Sequence, residues 1–246
     1  MLLALLLLLL LPPLVAASHE LGAACAPAKC GNLTIRYPFW LLGRHPPYCG
    51  YPSLGVSCDP AAPSLNNSSL RVLGIDYGNR SLAAFHAKLA EDATACSATT
   101  FNVSATLALP LLAVSRANWA LILCTNCSRT APAGSLPVTC PGSGGAWNVY
   151  MGRRYESGGP FVQGMAPVGC KYSVVPMMPG SELGKLDDYP GLVRRGFLME
   201  WTVAGDCAAC NKSGGQCRYD DGFKCLCPDG RLHSATCARG EFFHYD

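Results

Sequence analysis

Cys30-Gly-Asn-Leu-Thr-Ile-Arg-Tyr-Pro-Phe-Trp40, followed after a turn-rich middle by Tyr48-Cys-Gly-Tyr-Pro-Ser-Leu-Gly-Val-Ser-Cys58, is the stretch from which the fold is read. Its 29 residues hold three cysteines, five aromatics (Tyr37, Phe39, Trp40, Tyr48, Tyr51) and two arginines (Arg36, Arg44). Asn32–Phe39 alternates well enough for a strand, with Pro38 confining it to a sheet edge or a strand end. No Asp or Glu lies between Glu20 and Asp59, although Lys29, Arg36 and Arg44 do. A cross-linked, aromatic-rich, acid-free segment predicts a small domain held by its own staples and able to hold an anion.

Outward from that stretch, the rest of the chain sets the compartment. Residues 1–17 read as a secretory signal peptide: a leucine-rich run to Leu11, two prolines, then small residues ending at Ala17. The run is short of the roughly 20 apolar residues a membrane span needs. No later run is long enough either, and Glu241–Asp246 shows no lipidation or retention signal, so a secreted, extracellular protein is expected. Fifteen cysteines, all beyond the leader, fit an oxidising compartment. Because fifteen is odd, at most seven bridges form within the chain; the last thiol stays free or pairs with another chain. Sequons at Asn32, Asn66, Asn67, Asn79, Asn102, Asn126 and Asn211 predict a glycosylated surface. A net charge of +3 is too balanced to argue for nucleic acid.

The cysteines fall into a group from Cys25 to Cys127 and a group from Cys140 to Cys237. Between them Ser128-Arg-Thr-Ala-Pro-Ala-Gly-Ser-Leu-Pro137 has turn and breaker composition. A cysteine-rich domain over 25–128, a linker over 129–139 and a second cysteine-rich domain over 140–240 are therefore expected. Leu70–Tyr77 and Arg80–Leu89 around Gly78-Asn79 read as a β-hairpin, although the alanine-rich second arm suits a helix equally. Ala117–Cys124 is a nearly continuous apolar run, suited to a strand buried on both faces. In Gly196–Val203 the residues Phe197, Met199, Trp201 and Val203 point one way, and Leu198, Glu200 and Thr202 the other. Long amphipathic helices are absent from the pattern. The expected fold is mainly β and disulfide-rich, built as two small cysteine-rich modules.

Catalysis finds little footing. His45, His86 and His233 are isolated, and H-E-x-x-H, G-x-S-x-G and G-x-x-x-x-G-K-[ST] are all missing. The pairs Glu91-Asp92, Asp187-Asp188 and Asp220-Asp221 read as solvated turns. A glycosidase needs two carboxylates about 5–10 Å apart in a cleft, so a secreted hydrolase ranks as the third reading and no enzyme is expected. Cys124-x-x-Cys127 and Cys207-x-x-Cys210 have zinc-pair spacing. Behind a leader, with a sequon straddling Cys127, disulfides are the better reading. No calcium, zinc or other cofactor is expected.

The paired motifs C-G-N-L-T-I-R-Y-P-F-W and Y-C-G-Y-P-S-L-G-V-S-C resemble the galacturonan-binding domain of plant wall-associated receptor kinases, nearest to the leaf-rust-resistance-locus type of receptor-like kinase. Gly196-Phe-Leu-Met-Glu-Trp201, C-A-A-C-N-K-S-G-G-Q-C and F-K-C-L-C-P-D-G are similar to the cysteine-rich module that ends those ectodomains, and the resemblance runs from Cys25 to Cys237. Cys207 to Cys237 also resembles a compact epidermal-growth-factor-like (EGF-like) module, which implies bridges Cys207–Cys217, Cys210–Cys225 and Cys227–Cys237. Arg218 departs from the family pattern, which has Gly after S-G-G-x-C. Family members continue into a transmembrane helix and a kinase; this chain shows neither, so an ectodomain-only protein or a truncated, otherwise membrane-anchored receptor is expected. The resemblance implies non-catalytic binding of pectin-type galacturonan at the cell wall. Arg36 and Arg44 would pair with carboxylates and Tyr37, Trp40 and Tyr48 would offer stacking platforms. The alternative is an ectodomain that recognises a protein or peptide, partners a receptor kinase, or acts as a soluble decoy of one.

Overall fold

The computed structural model describes residues 23–59, 62–66, 68–101, 109–128, 130, 132–142, 146–152, 154–155 and 169–237. The expected leader and the sequons at Asn67 and Asn102 lie outside the described residues. In chain order the strands are β1 (Ala28–Cys30), β2 (Leu33–Ile35), β3 (Trp40–Leu41), β4 (Gly55–Ser57), β5 (Ser64–Leu65), β6 (Leu70–Asp76) and β7 (Ser81–His86). Helix α1 (Ala87–Glu91) precedes β8 (Leu112–Val114), β9 (Trp119–Thr125), β10 (Leu136–Thr139), β11 (Ala146–Gly152) and β12 (Lys171–Met177). Then come α2 (Tyr189–Arg195), β13 (Phe197–Trp201), α3 (Cys207–Lys212), β14 (Gln216–Tyr219), β15 (Phe223–Leu226) and β16 (Leu232–His233). The chain divides into two compact units, one of residues 30–33 and 57–202, the other of 1–29, 34–56 and 203–246.

In the larger unit the apolar run 119–125 becomes β9, an inner strand of an antiparallel sheet ordered β10-β11-β9-β12. Successive side chains of a strand point to opposite faces, and here both faces are covered. Leu121 and Leu123 pack with Val175, Met177, Tyr189 and Leu192 on one side. Ala120 and Ile122 meet Tyr155 on the other. This is why β9 has no polar alternation. The segment expected as a linker at 129–139 does not part the two units: residues 136–139 form β10, an edge of this sheet, with Val138 buried opposite Trp147.

The unit's other strands run in the order β5-β6-β7-β13-β8. The hairpin of β6 and β7 forms as the turn composition predicts, but through four residues, since Asp76 pairs with Ser81. Asp76 Oδ1 accepts from the backbone N–H of Gly78 and Asn79, and its Oδ2 accepts from the Asn79 amide at 2.8 Å. The second arm leaves the sheet after His86, where Ala87–Glu91 turn into α1. In β13, Phe197, Met199 and Trp201 are buried and Glu200 exposed, as alternation predicts; the strand stops at Trp201, short of Val203. Asp92, expected in a solvated turn, instead organises one: its carboxylate accepts from the N–H and hydroxyl of both Thr94 and Ser97. Partial burial pushes its pKa up, yet these hydrogen bonds outweigh that and hold it at about 2.

In the smaller unit Ile35, Phe39, Leu41, Leu54 and Val56 are buried, while the C-terminal part packs around sulfur, with Phe223 the one large apolar side chain buried among Cys210, Cys217, Cys225 and Cys227. Cys25–Cys49, Cys207–Cys217, Cys210–Cys225 and Cys227–Cys237 are bonded within it, and Cys30–Cys58, Cys96–Cys140 and Cys127–Cys170 within the larger unit. Closing loops of this size contributes about 3 kcal/mol per bridge, a large share of the stability of so small a core. The expected strand 32–39 breaks after Ile35: a cis peptide joins Tyr37 to Pro38, and Phe39 N–H donates back to Arg36 O. Pairing resumes at β3, which lies parallel to β4, with Trp40 opposite Gly55. At the other end of the sequence Asp206 caps α3 by accepting from Ala209 N at 3.0 Å. β14, β15 and β16 follow as an antiparallel meander.

Candidate functional site

Arg36 follows β2 and is exposed. Arg44 is also exposed, at the tip of a tight turn where Gly43 takes φ +75° and the Arg44 and His45 N–H groups both donate to Leu41 O. That turn is held from beneath by His45, only 7% exposed. Its Nδ1 accepts from Leu41 N at 3.0 Å and its Nε2 donates to Ala26 O at 3.0 Å. Accepting at one nitrogen and donating at the other requires the neutral ring. Burial lowers the pKa of His45, the Ala26 bond opposes that, and the Arg44 charge lowers it further.

A folded pKa below the unfolded value near 6.5 means that the unfolded chain binds the proton more readily. Stability is therefore intact above pH 6.5 and lost as the pH falls through the lower folded value. His86 in the larger unit, its pKa lowered by burial and by Lys88, adds to the same trend. The melting temperature should drop between pH 7 and pH 5. His45→Asn, which places an amide oxygen near the Nδ1 position, should flatten that drop. An unchanged pH profile in the variant would show that His45 does not titrate with unfolding.

The three expected platforms are placed differently. Tyr37 packs edge-on to Phe223 with centroids 5.8 Å apart and lies 5.9 Å from Tyr51. Burial drives its phenol far above the usual tyrosine pKa, and Tyr51 adds to the effect. Trp40 is half-buried, its indole N–H donating to Tyr51 O at 2.9 Å. A Cβ at Gly50 would sit 2.5 Å from Pro38 O, and one at Gly55 3.2 Å from the Trp40 ring, so both glycines are what lets the aromatic stretch close on itself. Tyr48 alone of the three is exposed, at 36%, and the Arg218 guanidinium stands 4.5 Å from its ring centroid. Tyr219 supports Tyr51 at 4.9 Å. Thus Arg218, Tyr219 and Phe223, 168 to 186 residues beyond their partners Tyr48, Tyr51 and Tyr37, complete the surroundings of the opening stretch. The one signal of this in the sequence is the unusual arginine after S-G-G-Q-C.

An open hollow of about 650 Å³ in the larger unit is lined by Glu182, Asp187, Asp188 and Arg195 among glycines. Three carboxylates against one guanidinium make it unsuited to an acidic ligand. Of the expected glycan acceptors, Asn32, Asn79, Asn126 and Asn211 are exposed and Asn66 is half-buried. Neither C-x-x-C pair is bridged within itself, since Cys127, Cys207 and Cys210 bond elsewhere and Cys124 is free. Among the described residues no helix is long and apolar enough to cross a membrane.

Seven disulfides among the described residues and a mainly β architecture define the class: a cysteine-rich, disulfide-stapled β protein. Comparison places it more closely. Residues 25–86 match the family described as wall-associated receptor kinase galacturonan-binding, and residues 153–230 the family described as wall-associated receptor kinase C-terminal. Two relatives from Arabidopsis thaliana are the leaf rust 10 disease-resistance locus receptor-like protein kinase-like 1.2 and 1.3. The first is 30% identical over 234 residues, covering 89% of this chain and 34% of the relative. The second is 28% identical over 219 residues, covering 85% and 29%. No solved structure matches the chain. The chain belongs to the wall-associated type of receptor-like kinase ectodomain, and it spans about a third of the length of the curated relatives it matches.

Proposed function

We propose that the chain is a non-catalytic reader of acidic, pectin-type galacturonan in the cell wall, with Arg36 and Arg44 as the carboxylate-pairing groups and Tyr48 as the stacking platform. The observation that carries this reading is the exposure of both arginines and of Tyr48 in a window free of Asp and Glu from residue 21 to residue 58. Tyr37, packed on Tyr51 and Phe223, and Trp40, bonded to Tyr51 O, are read as packing residues of the same stretch. The match of residues 25–86 to a galacturonan-binding family supports the same ligand class.

An exposed ion pair is worth about 1 kcal/mol or less, so each arginine contributes up to about fivefold and useful affinity needs several uronate units engaged together. Immobilised de-esterified oligogalacturonate should retain the mature protein at low salt and release it as ionic strength rises. Arg36→Gln with Arg44→Gln should weaken binding about 10-fold, and methyl-esterified oligomers should bind poorly to both proteins. Retention indifferent to salt, or undiminished in the double variant, would sink the proposal.

A further inference from the structure

Cys124 is fully buried and unbonded, next to last in β9. Its Sγ lies within 4.8 Å of the sulfurs of both Cys127 and Cys170, which are bonded to each other and only half-buried. A thiol beside a disulfide is the reactant pair of thiol–disulfide exchange. We infer that Cys124, Cys127 and Cys170 form an exchange relay that delivers the odd thiol from the core to the surface at Cys127, where it becomes a modification site for small disulfides.

The register bears on which sulfur is attacked, both being within the same 4.8 Å. Cys124 pairs with Tyr172 across the antiparallel ladder. Because side chains two residues apart share a face, Cys170, just before β12, falls on the side of the sheet that Cys124 occupies. Cys124, deprotonated, attacks Cys170 Sγ; the Cys124–Cys170 bond forms, the Cys127–Cys170 bond breaks, and Cys127 leaves as a thiolate that takes up the proton lost by Cys124. Nothing is oxidised or reduced overall. The released Cys127 lies beside Asn126, which is exposed. There it can attack oxidised glutathione, giving a Cys127–glutathione mixed disulfide and one glutathione thiolate. Burial raises the Cys124 pKa, so the attacking thiolate is scarce at neutral pH and the exchange quickens with alkalinity. Uncatalysed rearrangements of this kind take minutes to hours.

The test uses the intact mature glycoprotein, incubated without denaturant with N-ethylmaleimide, or separately with oxidised glutathione, between pH 6.5 and pH 8.5. It is then acid-quenched and peptide-mapped without reduction. The expected result is label on Cys127 accompanied by a Cys124–Cys170 bridge, several-fold faster at the alkaline end. Cys124→Ser and Cys124→Ala should both lose the label while keeping Cys127–Cys170. A Cys127–Cys170 bridge that stays intact for a day at pH 8.5, with label only on Cys124 or only after denaturation, would overturn the relay. Label on Cys170 with a Cys124–Cys127 bridge would overturn Cys127 as its exit.

Discussion

Gly215→Ala should prevent the C-terminal module from closing its disulfides correctly. A Cβ at this position would overlap Cys225 Sγ and lie 2.7 Å from Cys237 Sγ and 3.0 Å from Cys210 Sγ. These sulfurs belong to two bridges, Cys210–Cys225 and Cys227–Cys237, and are tethered on both sides, so they cannot swing away as the end of a free side chain would. The backbone cannot retreat easily either, because Gly215 N–H donates to Cys210 O at 3.0 Å. Overpacking in a tight core costs about 1–3 kcal/mol, occasionally more, and here it falls on a cluster with almost nothing but sulfur and Phe223 to hold it. Secreted yield should fall several-fold, and non-reducing maps of what remains should show mispaired Cys210, Cys225 and Cys237. Native pairing at wild-type yield would refute the reading of Gly215 as a sulfur-packing position.

Asn118→Ala should destabilise the larger unit by roughly 2–4 kcal/mol, the range for stripping partners from buried polar groups. Asn118 is fully buried just before β9. Its side chain behaves as a ladder residue: Oδ1 accepts from Leu198 N at 2.8 Å, and Nδ2 donates to Leu198 O at 2.8 Å and to Ser115 O at 2.9 Å. Its own carbonyl accepts from Tyr155 N at 2.8 Å. One amide therefore caps β13 where β8 has ended: alanine would strip the Leu198 N–H of this acceptor and leave Leu198 O with the Ser115 N–H alone, at 3.0 Å. In a unit of this size the loss should lower the melting temperature by about 5–15 °C. Asn118→Asp should be nearly as damaging, because a carboxylate cannot donate to the two carbonyls. A shift within 2 °C of wild type, by calorimetry at pH 7, would show that water replaces the amide.

Much of the fold was legible because it rests on local pattern. The unbroken run at 117–124 announced a strand covered on both faces, and the Gly78-Asn79 pair announced a hairpin. Alternation in 197–201 announced which side chains are buried. What misled was composition read as architecture. Ser128–Pro137 has breaker chemistry, yet it leads into β10, because an edge strand tolerates Pro137 where no neighbour needs its missing N–H. The second hairpin arm looked half helical and is both: a strand to His86 and a helix after it. On the candidate surface, exposure separated residues that sequence could only group. Tyr37, Trp40 and Tyr48 are equivalent as letters, and only packing shows Tyr37 against Phe223 and Tyr48 partly exposed beside Arg218.

By itself the sequence determined the class of this protein: an odd set of cysteines, a mainly β pattern, an acid-free basic window and paired motifs in order. Those properties follow from residue type and short-range spacing, which no folding event can alter. The tertiary structure alone decided the four bridges outside the last module, that Cys124 is the thiol left over, and that Arg218 and Phe223 join the opening stretch. Spacing alone does not say which cysteines meet, and residues 170 and 186 positions apart, as Tyr48 and Arg218 or Tyr37 and Phe223 are, meet only when hydrophobic burial repays the entropy of closing the loop between them.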